Sequence, residues 1–311
     1  MQNTVGHRGE VGAVENEVLY TPNLATVLID LRRRITAKFG EYGLAYLSCC
    51  LLASLRSHGG TMLMSDFPSS VTAKENTIVA SVIGLARKGF IEKVRSDRDR
   101  RVVVLRETAA GSLAAERAME GAYRHLRSTV WRSYSDEKID EIVDLLHRAA
   151  DDLGIPDTEI SHETHSCLTP AFLMAIAAMI GQWTTVVSEC TGLSLIEYRL
   201  LALLESRQQP LLCSAMADAL MLDRSTTSAA VKSLHGKKLV HVKKGLDKRQ
   251  RVVSLTESGS ANALLAGVQL ERRTAAFYTG EDPLFKERAN SLYARLFAEL
   301  AAWSSEEKSI S

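Results

Sequence analysis

Two short segments of this 311-residue chain concentrate positive charge, which is the charge that binds phosphate groups. Positions 232–251 hold eight Lys or Arg residues and one Asp, and positions 87–101 hold seven Lys or Arg residues and three acidic residues. The whole chain has a net charge of only +1, so the remainder is acidic. Basic charge gathered on two segments of an acidic chain is typical of a phosphate-binding surface such as that of a nucleic-acid-binding protein.

Each basic segment contains the same triplet, in which an acidic residue stands two positions before an arginine. The triplets are Asp99-x-Arg101 and Asp247-x-Arg249. Because residues i and i+2 of a strand share a face, the carboxylate can hold the guanidinium and direct it outward. A directed arginine suits the narrow minor groove of DNA, whose potential attracts it. A solvated surface ion pair is the alternative, and the recurrence of the triplet in both segments favours the functional interpretation.

Before each basic segment the sequence predicts a helix, from about position 74 or 223, with one apolar face. Ile78, Val82 and Leu85 stand at i, i+4 and i+7. The opposite faces carry small or polar residues, which allow close approach to DNA and can bind phosphate oxygens. An ordinary solvated helix face is the alternative. The predicted DNA-binding residues are Asn76, Thr77, Ala80, Arg98, Asp99, Arg100 and Arg101 in the first segment, and Arg224, Ser225, Thr226, Ser228, Lys243, Lys244, Asp247, Lys248 and Arg249 in the second.

These segments belong to two copies of one longer pattern. The stretch "YGLAYLSCCLLASL" at 42–55 aligns with "TGLSLIEYRLLALL" at 191–204, an offset of 149 positions. The offset holds to Leu85 and Leu234 and becomes 148 at the acidic triplet, a difference of one residue in a turn. An internal repeat of this length predicts two domains, which we place at 1–155 and 156–311.

The predicted order of elements is the same in both copies. A long helix begins at a Thr-Pro pair, and a second helix, a short helix and the third helix follow. Two β-strands joined by a polar turn come next, and amphipathic helices complete each copy. This order predicts a mainly α protein with two small β-wings. It would consist of two tandem winged helix-turn-helix units, packed together within one chain through their terminal helices.

One uncharged segment, 168–187, is nearly long enough to span a bilayer. Its counterpart in the first copy, 19–38, carries Asp30, Arg34 and other charged residues. A polar counterpart argues against a membrane role. We therefore expect a buried helix in the second copy, a half-exposed helix in the first, and no membrane partner.

Other chemistry finds little support in the sequence. The five cysteines are odd in number and form no CxxC pair, which favours reduced thiols in the cytoplasm. His162, His165 and Cys167 stand close together, but they are few and their spacing is not that of a zinc finger, so we expect no metal. Cys49 and Cys50 lie on an apolar helix, which favours core packing over redox chemistry. No P-loop or nucleophile-elbow motif is present, so we expect neither an enzyme nor a cofactor.

The run D-x-R, six residues and T-x-x-G resembles the wing signature of the MarR family of bacterial transcription regulators. The second copy has it as Asp247, Arg249, Thr256 and Gly259, and the first as Asp99, Arg101, Thr108 and Gly111. The family normally forms homodimers with interlocked terminal helices. The resemblance therefore implies such a dimer made in one piece, a monomeric cytoplasmic regulator, most often a repressor, that binds an imperfectly palindromic double-stranded DNA operator.

The resemblance also implies a small-molecule effector, because effectors of this family sit between the interlocked helices and the DNA-binding lobe. By position, the residues that would line such crevices are Arg34, Met179, Trp183 and Tyr198. Ordinary core packing is the alternative for each of them.

The first copy departs from the family pattern at three positions. Glu107 replaces an apolar residue, and Pro68 lies in the short helix. Glu75 stands near the start of the third helix, which corresponds to the recognition helix of the family. A carboxylate there opposes phosphate, although it can accept a hydrogen bond from a cytosine amino group. These departures support an alternative function, a pseudo-dimeric small-molecule sensor or protein-binding adaptor that has lost operator binding.

Overall fold

The computed structural model describes residues 22–67, 75–95, 103–155, 168–245, 247, 250–278 and 283–310. The first half of the chain contains α1 (Pro22–Glu41), α2 (Tyr46–Ser57), β1 (Thr61–Leu63), a 3-10 turn (Met64–Asp66), α3 (Glu75–Arg87), β2 (Ile91–Arg95), β3 (Val103–Glu107), α4 (Ala109–Ser128) and α5 (Asp136–Asp152). The second half contains α6 (Pro170–Thr191), α7 (Leu195–Arg207), β4 (Leu211–Leu212), α8 (Cys213–Ala219), α9 (Arg224–Gly236), β5 (Val240–Lys244), β6 (Arg251–Leu255), α10 (Glu257–Ala275) and α11 (Pro283–Ile310). The fold is mostly helical with two small antiparallel sheets, as expected for winged-helix units.

Each sheet has three strands, whereas the sequence predicted two. β1 pairs antiparallel with β3, and the strand order is β1-β3-β2. In the second half β4 pairs with β6 in the order β4-β6-β5. The additional strands have three and two residues, too few for an alternating pattern to be recognised in the sequence. Through this pairing, β1 and β4 connect the segment before the short helix to the wing of the same half.

Helix α6 lies in the centre of the protein. It is long and apolar enough to cross a membrane by length and composition alone, but 67% of its most apolar window is buried within the protein. It packs against α10 and α7 of its own half and against α5, α2 and α1 of the other. This burial accounts for its apolarity without a lipid environment, in agreement with the prediction of a buried helix.

Helix α1 is more deeply buried than its charged sequence predicted. Its first turns from Leu24 to Leu28 are inaccessible or nearly so, and only its second half is partly exposed. Asp30 and Arg34 are buried together, with Arg34 Nε donating to Asp30 Oδ2 at 2.5 Å, and Arg33 Nη2 donates to the same carboxylate at 2.6 Å. Mutual pairing of the charges reduces the cost of removing them from water, so the expectation of a half-exposed helix was only partly right.

The contacts between the two halves are reciprocal. α1 packs against α11 and α7 of the second half, and α6 packs against the counterparts of those helices in the first half, α5 and α2. α1 and α6 also contact each other. The buried apolar side chains of both halves form one continuous core. Across it the hydroxyl of Tyr46 donates to Leu173 O at 2.7 Å, and the Trp131 and Phe172 rings meet edge to face with centroids 6.3 Å apart.

Candidate nucleic-acid interface

Helix α9 has the two faces that the sequence predicted. Thr227, Val231 and Leu234 are buried on the side that packs against α7 and α8. On the opposite side Arg224, Ser225, Ser228 and Ala229 are exposed, and Thr226 is half-buried. The exposed residues are short except for Arg224, so a DNA groove can approach the helix backbone closely.

Asp223 organises the N-terminus of α9. Its carboxylate accepts hydrogen bonds from the backbone N–H of Thr226 at 2.7 Å and from the hydroxyls of Ser225 and Thr226 at 2.5 Å each. These hydrogen bonds lower the pKa of Asp223. Because each hydroxyl has one proton, Ser225 and Thr226 present only acceptor lone pairs outward in this arrangement.

Ser225 and Thr226 were predicted to bind phosphate oxygens, and that contact stays a prediction. In the arrangement described, Asp223 holds both hydroxyl protons, so the two side chains could also accept from the amino groups of cytosine or adenine in the major groove. Arg224, exposed beside them, supplies donor groups.

The second wing is the hairpin of β5 and β6, and it is closed by backbone hydrogen bonds. Gly245 N donates to Gln250 O, and Gln250 N donates to Asp247 O, both at 2.9 Å. Lys243 and Lys244 are exposed there, where they are accessible to phosphate groups, and Asp247 is exposed in the turn beside them. Lys248 and Arg249 lie outside the described residues, so the pairing within the acidic triplet stays a prediction.

In the first half, helix α3 also shows one buried and one exposed side. Val82 and Leu85 are buried, and the exposed side carries Glu75 together with the predicted DNA-binding residues Asn76, Thr77 and Ala80. Arg98, Asp99, Arg100 and Arg101 of the first wing lie outside the described residues, as does Pro68. The exposed Glu75 shows that the first half presents a carboxylate where the second presents Arg224.

The Thr-x-x-Gly part of the wing motif has a structural explanation. Thr256 Oγ1 accepts from Gly259 N and donates to Lys238 O, each at 3.0 Å, so it caps α10 and joins the helix to the chain two residues before β5. A Cβ on Gly259 would lie 2.0 Å from Leu239 O. Only glycine therefore allows the first turn of α10 to lie against the chain that enters the wing.

The first half repeats this junction. Thr108 Oγ1 accepts from Gly111 N at 3.1 Å and donates to Gly89 O at 2.7 Å, and a Cβ on Gly111 would lie 2.0 Å from Phe90 O. The Thr-x-x-Gly part of the motif thus sets the position of each wing relative to the helix that follows it.

A buried carboxylate behind the second recognition helix was not predicted from the sequence. Glu197 of α7 is nearly inaccessible, and its Oε1 accepts from Lys237 Nζ at 2.9 Å and from Ser233 Oγ at 2.7 Å. Burial alone raises the pKa of Glu197, but the hydrogen bonds from Lys237, Ser194 and Ser233 outweigh burial and lower it to about 2. The Ser-x-x-Glu capping box at Ser194 was the signal that could have revealed this carboxylate.

The four residues predicted to bind an effector are packed in the helical core. Met179 and Trp183 are inaccessible, and Trp183 Nε1 donates to Thr274 Oγ1 at 3.0 Å. Arg34 is paired with Asp30, and Tyr198 is buried on α7. These environments are those of core packing, and effector binding at these residues stays a prediction.

An open groove of about 740 Å³ lies elsewhere, between α5 and α11. Its apolar surface includes Leu284, which is 65% exposed, and Phe285, over whose ring the Arg148 guanidinium lies at 5.2 Å. Arg288 and Arg295 of α11 also line it. None of Arg34, Met179, Trp183 and Tyr198 lines this groove.

The described residues contain no group of three or more His, Cys, Asp or Glu side chains placed to hold a metal ion. His162, His165 and Cys167 lie outside them. Burial raises the pKa of Cys49, and it raises the pKa of Cys50 to about 12, so both thiols stay protonated at neutral pH. Protonated buried thiols are poor nucleophiles, which agrees with their interpretation as packing residues.

Comparisons with known proteins give similarity to solved structures only. No family model matches the chain. A search of curated proteins also found no match.

The chain is similar in part to several solved structures. A MarR-family transcriptional regulator from Rhodococcus sp. RHA1 is 20% identical, with 39% of this chain and 85% of that chain covered and a TM-score of 0.35. MepR, a transcription regulator of the Staphylococcus aureus multidrug efflux pump MepA, is 18% identical, with coverages of 42% and 95% and a TM-score of 0.34. NadR, solved in complex with 4-hydroxyphenylacetate, is 20% identical, with coverages of 47% and 98% and a TM-score of 0.36.

Proposed function

We propose that this protein is a sequence-specific, double-stranded DNA-binding transcription regulator of the MarR type, acting in the cytoplasm as a repressor that responds to a small molecule. The observation that carries the proposal is the exposed face of α9. It presents Arg224 and short polar side chains beside a hairpin with exposed Lys243 and Lys244, while its apolar side is fixed to the core. A helix with such a face next to a basic wing fits the major groove and the flanking phosphates.

The proposal includes an arrangement as a single-chain pseudo-dimer, in which residues 1–155 and 156–311 take the parts of two subunits. The reciprocal packing of α1 on α11 and of α6 on α5 supports it, because a two-fold interface has each contact twice. Two recognition helices in one chain would contact two half-sites of one operator. Since their exposed residues differ, the operator would be an imperfect palindrome.

DNase footprinting and fluorescence anisotropy on the DNA upstream of the protein's own gene test this function. Several phosphate contacts make the logarithm of the binding constant fall steeply with the logarithm of salt concentration. Lys243→Ala/Lys244→Ala should weaken binding and reduce that slope by about 2. Arg288→Ala/Arg295→Ala, which removes the same charge from α11, is the matched control and should leave the slope unchanged. A salt slope near zero on every duplex would exclude DNA binding as the function.

A second candidate is a small-molecule sensor or protein-binding adaptor without an operator. The groove between α5 and α11 favours the sensor, since it combines the apolar surface of Leu284 and Phe285 with the guanidinium groups of Arg288 and Arg295. The same footprinting experiment separates the two candidates. Tight binding of organic anions that Arg288→Gln/Arg295→Gln abolishes, together with no protected DNA, would favour the sensor.

A further inference from the structure

A lysine follows the recognition helix in each half of the chain. Lys88 comes directly after α3, and Lys237 directly after α9. Lys88 Nζ donates to Gly43 O, and Lys237 Nζ lies 3.5 Å from the equivalent oxygen, Gly192 O. Both halves therefore tie the end of the recognition helix to the loop before the second helix of the motif.

The second half adds a buried carboxylate to this tie. Glu197 Oε1 accepts from both Lys237 Nζ and Ser233 Oγ, and Ser233 belongs to α9 itself. Glu197 Oε2 accepts from the Ser194 backbone N–H at 2.7 Å, while Ser194 Oγ accepts from Glu197 N at 3.2 Å. One carboxylate thus connects the first turn of α7 to the last turn of α9 by charge-assisted hydrogen bonds, the stronger class of hydrogen bond.

The first half has none of the three side chains that build this connection. Ala45, Ser48 and Gly84 stand at the positions of Ser194, Glu197 and Ser233. Ala45 makes no side-chain capping hydrogen bond to α2, whereas Ser194 completes a capping box on α7. Within the described part of the chain, no carboxylate forms an ion pair with Lys88, so packing and the contact with Gly43 O hold α3.

We propose that Glu197 is a positioning residue that fixes the orientation of α9 against α7, and that α3, without an equivalent carboxylate, is held less rigidly. The consequence for DNA binding rests on the proposed function. A fixed helix loses less conformational entropy when it enters a groove, so the second half binds its half-site more tightly than the first. Asymmetry in DNA binding then comes from the support of the helices as well as from their exposed residues.

Amide hydrogen exchange in the free protein tests the structural part without DNA. We expect slower exchange in 224–236 than in 75–87, because local opening of α9 must break the hydrogen bonds to Glu197. Glu197→Gln keeps the size of the side chain and removes its charge, and it should speed exchange in α9 by roughly threefold to tenfold without affecting α3. Glu189→Gln, on the exposed end of α6, is the control. Unchanged exchange in α9 of the Glu197→Gln protein would overturn the proposal.

A transfer of the carboxylate to the first half is the complementary test. Ala45→Ser/Ser48→Glu/Gly84→Ser should slow exchange in α3 relative to Ala45→Ser/Gly84→Ser, which lacks the carboxylate but has the same change of helix propensity within α3. A Cβ at position 84 meets no atom within 4 Å, so serine fits there. Equal exchange in α3 of two folded variants would count against the carboxylate as the cause. If the triple variant does not fold, the Glu197→Gln measurement decides alone.

Footprints on one duplex with two half-sites test the functional part. Glu197→Gln should weaken protection of the half-site bound by the second half and leave the other unchanged, at a temperature well below unfolding. A general loss of stability would instead weaken both half-sites together. If the wild type protects no duplex, the proposed function fails and the exchange result stands. If the wild type binds and Glu197→Gln gives identical footprints, the inference fails and the proposed function stands.

Discussion

Arg199 of α7 donates a hydrogen bond from Nη2 to the hydroxyl oxygen of Thr26 in α1, at 2.7 Å, and so joins the two halves of the chain. The same nitrogen donates to Leu220 O at 3.0 Å, and the arginine is 1% exposed. The position equivalent to Arg199 in the first half is occupied by Cys50, which cannot make this contact. This arginine contact is therefore made from the second half only, whereas the hydrogen bond from Tyr46 to Leu173 O crosses the interface from the first half.

The first prediction concerns this anchor. Thr26→Val keeps the shape of the side chain but removes an acceptor from a buried guanidinium, so we expect the free energy of unfolding to fall by about 1–3 kcal/mol. Urea denaturation measures this change. Thr185→Val on the exposed side of α6 is the matched control, for which we expect less than about 0.5 kcal/mol. An equal effect of the two substitutions would show that the cross-half hydrogen bond contributes little.

The second prediction concerns assembly. If the halves pair within one molecule, their association does not weaken on dilution. The protein should sediment as a single chain at low concentration, and its melting temperature should barely depend on concentration. A dimer of whole chains that dissociates on dilution would show that α1 and α6 pair between molecules instead.

Much of the fold could be predicted because the chain repeats a strongly periodic pattern. The apolar positions of α9, Thr227, Val231 and Leu234, are all buried, and the predicted second helix and terminal helices are present in both halves. The burial of Asp30 could not be predicted in the same way. It depends on Arg34 reaching the same carboxylate as Arg33 within a helix whose environment is set by the other half of the chain.

The candidate site could be predicted at its surface but not behind it. Exposed Arg224, Lys243 and Lys244 follow from charge and spacing in the sequence alone. The contact of Glu197 with Lys237 joins residues 40 positions apart, and its strength depends on burial, which a local pattern does not contain. Likewise, the resemblance points to Gly259 in the wing motif, but the reason why glycine is required there lies in the packing of α10 against Leu239 O.

The third prediction concerns the close packing of Gly259 against Leu239 O. Gly259→Ala places a Cβ 2.0 Å from a backbone oxygen, and the chain must shift to accept it, so we expect a loss of about 1–3 kcal/mol in the free energy of unfolding. Gly236→Ala at the end of α9 meets no atom within 4 Å and should be neutral or stabilising. Thermal or urea unfolding of both variants measures the difference. Wild-type stability of Gly259→Ala would mean that α10 does not lie as close to Leu239 as described.

The fourth prediction concerns pH. In the folded protein the pKa of Glu197 is lowered from its ordinary value of 4.5 to about 2. The ionised carboxylate therefore contributes stability that is fully present above about pH 4.5 and is lost as the pH falls towards 2. The stability difference between wild type and Glu197→Gln, measured by urea denaturation, should be largest at neutral pH and shrink through this range. A difference that does not depend on pH would show that the charge of Glu197 is unimportant.

The fifth prediction concerns the unequal wings. The segment 232–251 has eight basic residues and one acidic residue, and 87–101 has seven and three, so the second wing has more net positive charge with which to release counterions from DNA. Arg249→Ala should therefore weaken binding to an operator more than Arg101→Ala, when both are measured by anisotropy on the same duplex. The half-sites should lie about one helical turn apart, with weaker protection on the one bound by the first half, where Glu75 opposes phosphate. Equal losses of affinity for the two variants on a perfectly symmetric operator would show that the two halves have kept the same role. On such an operator the half-sites are identical, so any difference between the variants must come from the wings.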